Sequence, residues 1–400
     1  MQEIIQSFFK ARSLVNHQLA SYNDCIPAGD STISRMEKII RNIRVGTDEE
    51  IVDDEGGYIK LDVVDQEIVI RLKDIQLGKP TIREANGANM DSTPMECRLR
   101  KLTYMSPVSI NFQIYRGGIP SPLEESVQVG SMPIMIRSRR CNLHPEHIIS
   151  DRVLDPTTSS EDAEMWKDLL RKKGEDPLDP GGYFIINGTE RVLISMEDLA
   201  PNRVTVEINK RSVKKTEVAK IFSQKDGMRK PLTVEKRRDG MLMVKISTVG
   251  TTPIPVVLLM RALGIENDQE VFQAIAGPTE TFKYIVANIN EVNDNEEYAV
   301  NNTLESHEWL QKKFAAGQQR EYREARVNQL LDRELLPHLG DQTEDRKKKA
   351  IFLGRIVRQV LEMAMTDREP NDKDHYANKR VRLAGDLIED LFRVSSGQLA

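Results

Sequence analysis

Cysteine is scarce in this chain, and it never occurs in a metal-binding pair. The 400 residues contain only Cys25, Cys97 and Cys141, an odd number without any CxxC spacing. Structural zinc sites use such pairs and disulfide frameworks need partners, so neither is predicted. We expect all three cysteines to be reduced packing residues.

Long apolar runs are also missing. The longest, residues 256–260, has five residues, whereas a membrane span needs about 20. The N-terminus has an early acid, Glu3, and no charged-then-apolar signal layout. We therefore expect a soluble, cytoplasmic protein without a membrane partner.

No single sign of charge dominates the chain. The 57 basic and 62 acidic side chains leave a formal charge of −5, which excludes a polybasic protein. A hydrophobic share of 39% is enough to bury real cores. Since domains usually have about 100–200 residues, the length predicts two or three of them.

Motifs for self-contained chemistry are absent as well. The sequence has no Walker loop, GxSxG elbow, HExxH or GxGxxG. His144 and His147 fit a loop better than half a zinc site, because no cysteine partners are near. Six carboxylates within residues 48–55 repel one another, which favours a solvated loop over a metal site.

Hydrophobic patterning predicts an α+β first region and a mostly helical second one. Helical periodicity covers residues 4–26, with Pro27 closing it. In the first region the sequence further predicts strands at 58–72, 102–115 and 132–136, with a polar connection at 116–130. It then predicts a helix within 156–180 that stops at Gly174. In the second region it predicts helices at 256–263, 269–275, 281–289, 306–315 and 321–336. A last helix carries one apolar face, formed by Phe352, Leu353, Ile356, Val357, Val360, Leu361 and Ala364.

Two β-hairpins are predicted from their turns. Residues 183–194 place β-rich runs on both sides of Asn187-Gly188, a pair suited to two positions with positive φ. Residues 232–246 do the same around Asp239-Gly240. The tip of this second hairpin is strongly cationic.

The second hairpin lies in a basic stretch, residues 210–238, which we call the cationic tract. It has eleven Lys or Arg and three acids, a local balance of 11 − 3 = +8. A solvated face is one interpretation. Nucleic-acid binding through Lys236, Arg237 and Arg238 is the other, because the overall charge is negative and the positive field is local.

A second concentration of cations lies in residues 372–382. Lys379, Arg380 and Arg382 stand beside Asp374 and Asn378, so hydrogen-bond donors suited to phosphates are mixed with groups able to read a base edge. The acids Asp372 and Asp374 favour orientation of these cations over metal binding. Whether the segment is a strand or a helix, and hence which cation faces DNA, stays open.

Several motifs resemble the second-largest, β-like subunit of multisubunit DNA-dependent RNA polymerases. Gly-Gly-Tyr-Phe-Ile-Ile-Asn-Gly-Thr-Glu-Arg-Val-Leu at 181–193 is similar to a hairpin of that family. The other matching blocks follow the order of the family and lie at 98–107, 133–138, 255–264 and 372–385. The resemblance is closest to archaeal subunits encoded as two polypeptides, of which this chain looks like most of the N-terminal piece.

The resemblance implies a mixed α/β protrusion domain interrupted by an inserted, mostly helical lobe that carries a β-hairpin. The implied boundaries are 1–205 for the first part of the protrusion, 206–374 for the lobe and 375–400 for the returning protrusion segment. It further implies that residues like Asp374 and Lys379 lie near the non-template DNA strand. We also expect the chain to be truncated after Ala400.

The same resemblance implies a noncatalytic part of a nucleotidyltransferase complex. The family's magnesium is held by an Asp triad of the largest subunit, and its zinc by the C-terminal part of this subunit, so no cofactor and no catalytic residue are expected here. Expected partners are the largest subunit, the C-terminal piece, DNA and basal transcription factors. A nucleic-acid-binding protein without polymerase partners and a stand-alone nucleotidyltransferase are the alternatives; the latter lacks carboxylates at metal spacing.

Overall fold

A computed structural model describes residues 2–11, 13–27, 33–45, 57–63, 66–148, 160–209, 216–247, 252–295, 297–298, 300–315, 317, 319–366 and 368–397. They form two compact units, Met1–Glu197 with Val381–Ala400, and Asp198–Arg380. In chain order the second unit interrupts the first. Each unit combines helices with mainly antiparallel sheet around its own apolar core, which confirms the α+β class.

The helices and strands are numbered in chain order. From Gln2 to Leu199 they are α1 (Gln2–Ala11), α2 (Asn16–Cys25), α3 (Arg35–Arg41), β1 (Arg44–Val45), β2 (Gly57–Val63), β3 (Gln66–Leu77), β4 (Thr81–Arg83), β5 (Asn89–Asp91), α4 (Pro94–Leu99), β6 (Met105–Arg116), β7 (Ile119–Pro120), β8 (Glu125–Pro133), α5 (Pro145–Ile148), α6 (Ser160–Lys172), β9 (Phe184–Ile186), β10 (Thr189–Arg191) and β11 (Met196–Leu199). The remainder are β12 (Thr205–Asn209), β13 (Thr216–Lys225), β14 (Met228–Lys236), β15 (Leu242–Ile246), β16 (Ile254–Pro255), α7 (Val256–Ala262), α8 (Asp268–Ile275), α9 (Phe282–Asp294), α10 (Thr303–Phe314), α11 (Arg320–Gln329), α12 (Arg346–Met365), β17 (Lys379–Arg382) and α13 (Ala384–Gly397).

The main sheet of the first unit has the order β1-β2-β3-β6-β7, with β8 also paired to β6. The predicted strand at 58–72 is two antiparallel strands, β2 and β3. The predicted connection at 116–130 is wrong over its second half, because β8 pairs with β6 along its length. Residues 125–131 are exposed, and only Val127 and Val129 alternate among them, so the pairing with β6 defines this strand more than its apolar pattern does.

The predicted N-terminal helix is interrupted. Its first part, α1, ends at Ala11, and α2 runs from Asn16 to Cys25, before Pro27. Between them Val15 packs so closely against Gly182 that a Cβ atom at the glycine would lie 2.9 Å from the Val15 Cβ atom. Tertiary packing therefore overrides the continuous periodicity at this point.

The first predicted hairpin is confirmed. Strands β9 and β10 pair in antiparallel fashion, and Asn187 and Gly188 have φ angles of 52° and 76°, as a type I′ turn requires. The hairpin joins two other blocks of the family resemblance through backbone hydrogen bonds. Tyr104 N–H donates to the Ile185 carbonyl at 3.0 Å, and Ile136 N–H donates to the Tyr183 carbonyl at 2.9 Å.

The second unit contains more sheet than its sequence predicted. Strands β12 to β16 form a five-stranded antiparallel sheet in sequential order. The expected hairpin is β14 with β15, and a further hairpin joins β13 to β14 through Asp226 and Gly227, both with positive φ. The predicted helices and the predicted hairpin are both present in this unit, and the three further strands of the sheet are what the sequence prediction lacked.

Helices cover one side of the second unit's core. The predicted apolar face of α12 is confirmed, since most of its members are buried, with Phe352 partly buried beside them. A π-helical segment, Leu330–Glu334, follows α11 directly, so the predicted helix at 321–336 is continuous but changes type. Helices α7 to α9 form where they were predicted, within a few residues.

The three cysteines are buried and unbridged, as predicted. Burial raises the pKa of the Cys25 thiol to about 12 and that of Cys97 to about 11, so both stay protonated near neutral pH. No helix in the described part of the chain is long and apolar enough to cross a membrane. The acidic stretch at 48–55 lies outside the described residues.

Candidate nucleic-acid interface

The tip of the β14–β15 hairpin is a well-defined turn. Arg237 N–H donates to the Met241 carbonyl at 2.8 Å, and Gly240 N–H donates to the Arg237 carbonyl at 3.1 Å. Gly240 has φ of 92°, so this position favours glycine. Arg237 and Arg238 are exposed at this turn, where they can reach a polyanion.

Lys236 differs from the two arginines that follow it. It is partly buried, its Nζ lies 3.6 Å from a Glu217 carboxylate oxygen, and it stands 5.4 Å from the ring centroid of Tyr284. The ion pair and the cation–π contact hold this ammonium against the sheet. Lys236 is therefore less accessible to a ligand than its exposed neighbours Arg237 and Arg238.

Folding neutralises much of the cationic tract. Within its described part, residues 216–238, seven cations face three acids, a balance of 7 − 3 = +4. Carboxylates from outside the tract then pair with its cations. These pairs are Lys220 with Glu207, Lys225 with Asp341 at 3.0 Å, and Arg229 with Asp198.

The sequence window therefore overstated the positive field of the tract. Carboxylates that the fold brings close to these cations lower the positive field of the tract. Arg229 also lies 4.0 Å from the Phe222 ring centroid. Residues 210–215, which carry four of the eleven cations, lie outside the described residues.

Residues 371–380 form the second candidate region, which we call the cationic loop. Asn371 and Val206 are joined by two hydrogen bonds of 2.9 Å, one to the Asn371 side chain and one from its N–H. Arg203 donates to the Ala377 carbonyl at 3.1 Å, and an ion pair joins Lys373 to Glu207. These contacts fasten the loop to the second unit at several points.

The structure decides the local conformation that the sequence left open. A 3₁₀ turn at Tyr376–Asn378 leads into strand β17, which pairs with β11. In a strand, Lys379 and Arg380 point to opposite sides. Arg380 is exposed and Lys379 is partly buried.

The predicted orienting role of Asp374 fits only one cation. Its Oδ1 atom lies 3.6 Å from Lys379 Nζ, and its side chain is 95% exposed. Arg380 instead donates to the carbonyl oxygens of Lys379 at 2.7 Å and Ala377 at 3.3 Å. The prediction that Asp374 orients Arg380 is therefore wrong, because nearer backbone acceptors hold this guanidinium.

Arg382 belongs to a different environment, within the first unit. It forms an ion pair with Asp390 of α13 and lies 3.5 Å from the Asp386 carbonyl. Arg393 also approaches Asp390, at 3.7 Å. Arg382 thus takes part in an intramolecular ion-pair network, although its contact with DNA stays a prediction.

The sequence reasoning passed over one residue of the cationic loop. Tyr376 is 80% exposed, whereas another exposed tyrosine of the second unit, Tyr322, is 51% exposed. The Nζ atom of Lys379 lies 5.9 Å from the ring centroid of Tyr376. The signal was present in the sequence as an aromatic residue between a histidine and two cations.

The described residues offer no metal site that would suggest a different chemistry. Among them, no group of three His, Cys, Asp or Glu side chains could hold a metal ion. His144 and His147 lie 6.1 Å apart by ring centroids, and His147 Nε2 is 2.8 Å from the Arg139 carbonyl oxygen. What the described residues of the cationic loop do bring together is an exposed tyrosine, Tyr376, and an exposed cation, Arg380.

Comparison with known families identifies the class of protein. Residues 13–151 match the family described as RNA polymerase beta subunit, and residues 200–382 match RNA polymerase Rpb2, domain 2. The two matches cover both compact units, and the second includes the hairpin tip and the cationic loop. This class comprises the second-largest subunits of multisubunit RNA polymerases.

Similar whole proteins narrow this class. The chain is 40% identical to DNA-directed RNA polymerase subunit Rpo2N of Methanocaldococcus jannaschii, over all of the chain and 72% of that subunit. It is 37% identical to Rpo2N of Halobacterium salinarum, over all of the chain and 70% of that subunit. Subunit Rpo2 of Saccharolobus solfataricus is 37% identical over 98% of the chain and 31% of that subunit. The chain belongs to the Rpo2N family, the N-terminal piece of the second-largest subunit of archaeal DNA-directed RNA polymerases.

Proposed function

We propose that this chain forms one side of the DNA cleft of an archaeal RNA polymerase and contributes no catalytic residue of its own. The proposal is supported mainly by the cationic loop, where the exposed Arg380 and the partly buried Lys379 lie on a backbone fastened to the second unit. Cations on a fixed backbone suit phosphate contacts, which position a protein on nucleic acid. The relatives of this chain are subunits of DNA-directed RNA polymerases.

The domain roles form part of this proposal. Residues 1–205 and 375–400 would be the protrusion and residues 206–374 the lobe, boundaries close to those of the compact units. The enzyme would act in the cytoplasm, with basal transcription factors docking on this subunit. Magnesium would be held by the largest subunit and zinc by the C-terminal piece, so the chemistry of nucleotide addition would lie in partner chains.

The test is charge removal in a reconstituted polymerase. Lys379→Gln and Arg380→Gln should each shorten the lifetime of the open promoter complex, because each variant has one cation fewer to bind a phosphate, while leaving subunit assembly intact. Lys347→Gln, an exposed cation on α12, is the control and should have no effect. Normal open complexes in both loop variants would refute the proposed contact.

Assembly separates this proposal from an independent nucleic-acid-binding protein. In gel filtration of cell extract, a polymerase subunit should elute with the large complex, whereas a free protein of 45.6 kDa should not. If the chain eluted only at its own size, its membership of the complex would be disproved.

A further inference from the structure

We propose that a groove between helices α8 and α9 binds a basic amphipathic helix of a protein factor that docks on the polymerase. The groove lies wholly in the second unit, between residues 268–273 of α8 and residues 286–290 of α9, and we call it the α8–α9 groove. The inference rests on the part of the proposed function in which protein factors dock on this subunit. It adds the surface and the chemistry of the partner, and it requires no DNA.

Helices α8 and α9 run in opposite directions along the groove. At the start of α8, an Asp268 carboxylate oxygen lies 3.5 Å from the side-chain nitrogen of Asn293, near the end of α9. Towards the other end, the rings of Phe272 and Phe282 meet edge to face, with centroids 4.9 Å apart. The lining residues of each helix include positions three or four apart, so one face of each helix forms a wall of the groove.

The floor of the groove is apolar and partly open to solvent. Ile289 is buried and Phe272 is partly buried, whereas Val286 is 47% exposed. The groove encloses about 310 Å³, at the lower end of the range of about 300–1,000 Å³ for small-molecule sites. A few apolar side chains of a partner therefore fit it better than a whole cofactor. The ridge of a third helix suits a groove between two helices, and an amphipathic helix can lay its apolar face there.

The surroundings of the groove are strongly acidic. Residues 262–300 contain eight acids and one basic residue, Lys283, a balance of 1 − 8 = −7. Because the two helices are antiparallel, Glu270 near the start of α8 and Glu291 and Asp294 near the end of α9 lie towards the same end of the groove. All three side chains are exposed. A helix with Lys or Arg beside its apolar face complements this surface, whereas nucleic acid would be repelled.

Folding leaves these acids available, in contrast to the cations of the cationic tract. No cation in the described part of the chain forms an ion pair with Glu270, Glu291 or Asp294. Glu291 instead accepts a hydrogen bond from the side chain of Asn295 at 2.8 Å, which leaves its charge in place. Asp268 differs, because its Oδ1 atom lies 2.5 Å from the buried guanidinium of Arg261. The negative field at this end of the groove thus attracts a cationic partner.

The experiment measures peptide binding to the reconstituted polymerase in the absence of DNA. The probes are two fluorescein-labelled amphipathic helical peptides with the same leucine face, one bordered by lysines and the other by glutamates. Fluorescence anisotropy should show that the lysine peptide binds about 5- to 30-fold more tightly than the glutamate peptide. Added salt should reduce this difference, because the acids are exposed.

Variants assign this binding to the groove. Val286→Asn should weaken the binding of both peptides roughly 5- to 10-fold, because an apolar contact is lost without a change in charge. Glu291→Lys combined with Asp294→Lys should reverse the preference, so that the glutamate peptide binds more tightly. The control combines Glu324→Lys with Glu344→Lys, two exposed acids of the same unit outside the groove, and should keep the preference of the parent.

A natural partner provides the second measurement. A basal transcription factor that docks in the groove should displace the lysine peptide, and its affinity for the polymerase should fall in the variant with lysines at 291 and 294. Full affinity of every basal factor for that variant would overturn the docking role.

The remaining outcomes are equally decisive. Equal binding of the two peptides by the parent, or the same reversal in the control variant, would overturn the charge complementarity. Unchanged affinity in Val286→Asn would place the peptides elsewhere and refute the groove. If Val286→Asn failed to assemble, the charge-reversed variants would still decide, because they change exposed residues. Since no DNA is present, these results do not depend on the contacts of Lys379 and Arg380.

Discussion

Lys349 donates a hydrogen bond to the carbonyl oxygen of Leu331 at 3.0 Å from a fully buried position. A second bond, of 2.5 Å, reaches the carbonyl of Asp332, so one ammonium serves two carbonyls of the π-helical segment. The segment's carbonyls need such donors, because π-helical geometry departs from the regular hydrogen-bonding pattern. Burial lowers the pKa of Lys349 to about 8.

This lowered pKa predicts a pH dependence of stability. An unfolded lysine has a pKa of about 10.4, so between pH 8 and about 10.4 the unfolded state binds more protons than the folded state. The free energy of unfolding should therefore rise with pH across this window. In Lys349→Met the rise should be smaller, as measured by urea unfolding, and Lys347→Met on the exposed side of α12 should behave like the parent. An identical rise in the Lys349 variant would contradict the assignment.

The packing of α13 on α2 predicts a steric effect at Gly385. A Cβ atom there would lie 2.0 Å from the Ser21 carbonyl oxygen, so Gly385→Ala must push the helices apart. We expect a loss of about 1–3 kcal/mol in the free energy of unfolding. Gly397→Ala, in the same helix but without a neighbouring atom within 4 Å, should be neutral or slightly stabilising. Equal stabilities of the two variants would show that this close approach is absent.

The hairpin tip predicts a change in the salt dependence of DNA binding. Neutralising Lys236, Arg237 and Arg238 together should weaken DNA binding by the assembled enzyme and lower the salt slope by up to about one unit for each phosphate that is no longer bound. Because Lys236 is held by Glu217 and Tyr284, we expect Arg237→Gln to account for more of the change than Lys236→Gln. A slope that stays constant in the triple variant would assign the tip to a protein partner or to solvent.

The ion pair of Arg382 with Asp390 predicts a structural effect distinct from DNA binding. Both side chains are partly exposed, so Arg382→Gln should lower the free energy of unfolding by at most about 1 kcal/mol. Asp390→Asn should cost a similar amount, and the double variant should cost less than the sum. Strict additivity in urea unfolding would mean that the two residues do not interact in solution.

The absence of an Asp triad from the sequence predicts that the purified chain cannot make RNA alone. Nucleotides, template and magnesium should yield no product, because phosphoryl transfer of this kind needs positioned metal ions. The parent polymerase, reconstituted with the same preparation, is the positive control. Template-dependent RNA from the chain alone would overturn the noncatalytic assignment.

Local features of the fold were predictable because they depend on neighbouring residues. The hairpin at Asn187-Gly188 formed as expected, since both residues accept positive φ without help from the rest of the fold. The buried face of α12 was predictable for a similar reason, because its periodicity repeats over several turns. Strand β8 was missed, since the alternation of Val127 and Val129 is too short to indicate a strand by itself and its pairing with β6 defines it.

In the candidate site, too, contacts between residues close in sequence were predictable and features that depend on tertiary structure were not. Asp374 and Lys379 are five residues apart, and their approach could be predicted from the sequence. The exposure of Tyr376 could not, because it depends on what the rest of the second unit leaves uncovered.

The sequence by itself determined the family, the local turns and the two concentrations of basic residues, because motifs and composition are properties of short stretches. Tertiary structure alone decided which of those cations remain available to a ligand. Glu207, Asp198 and Asp341 come from outside the cationic tract and pair with its cations, and no count along the sequence contains these partners. Coulombic energy depends on distance in space, which the fold sets.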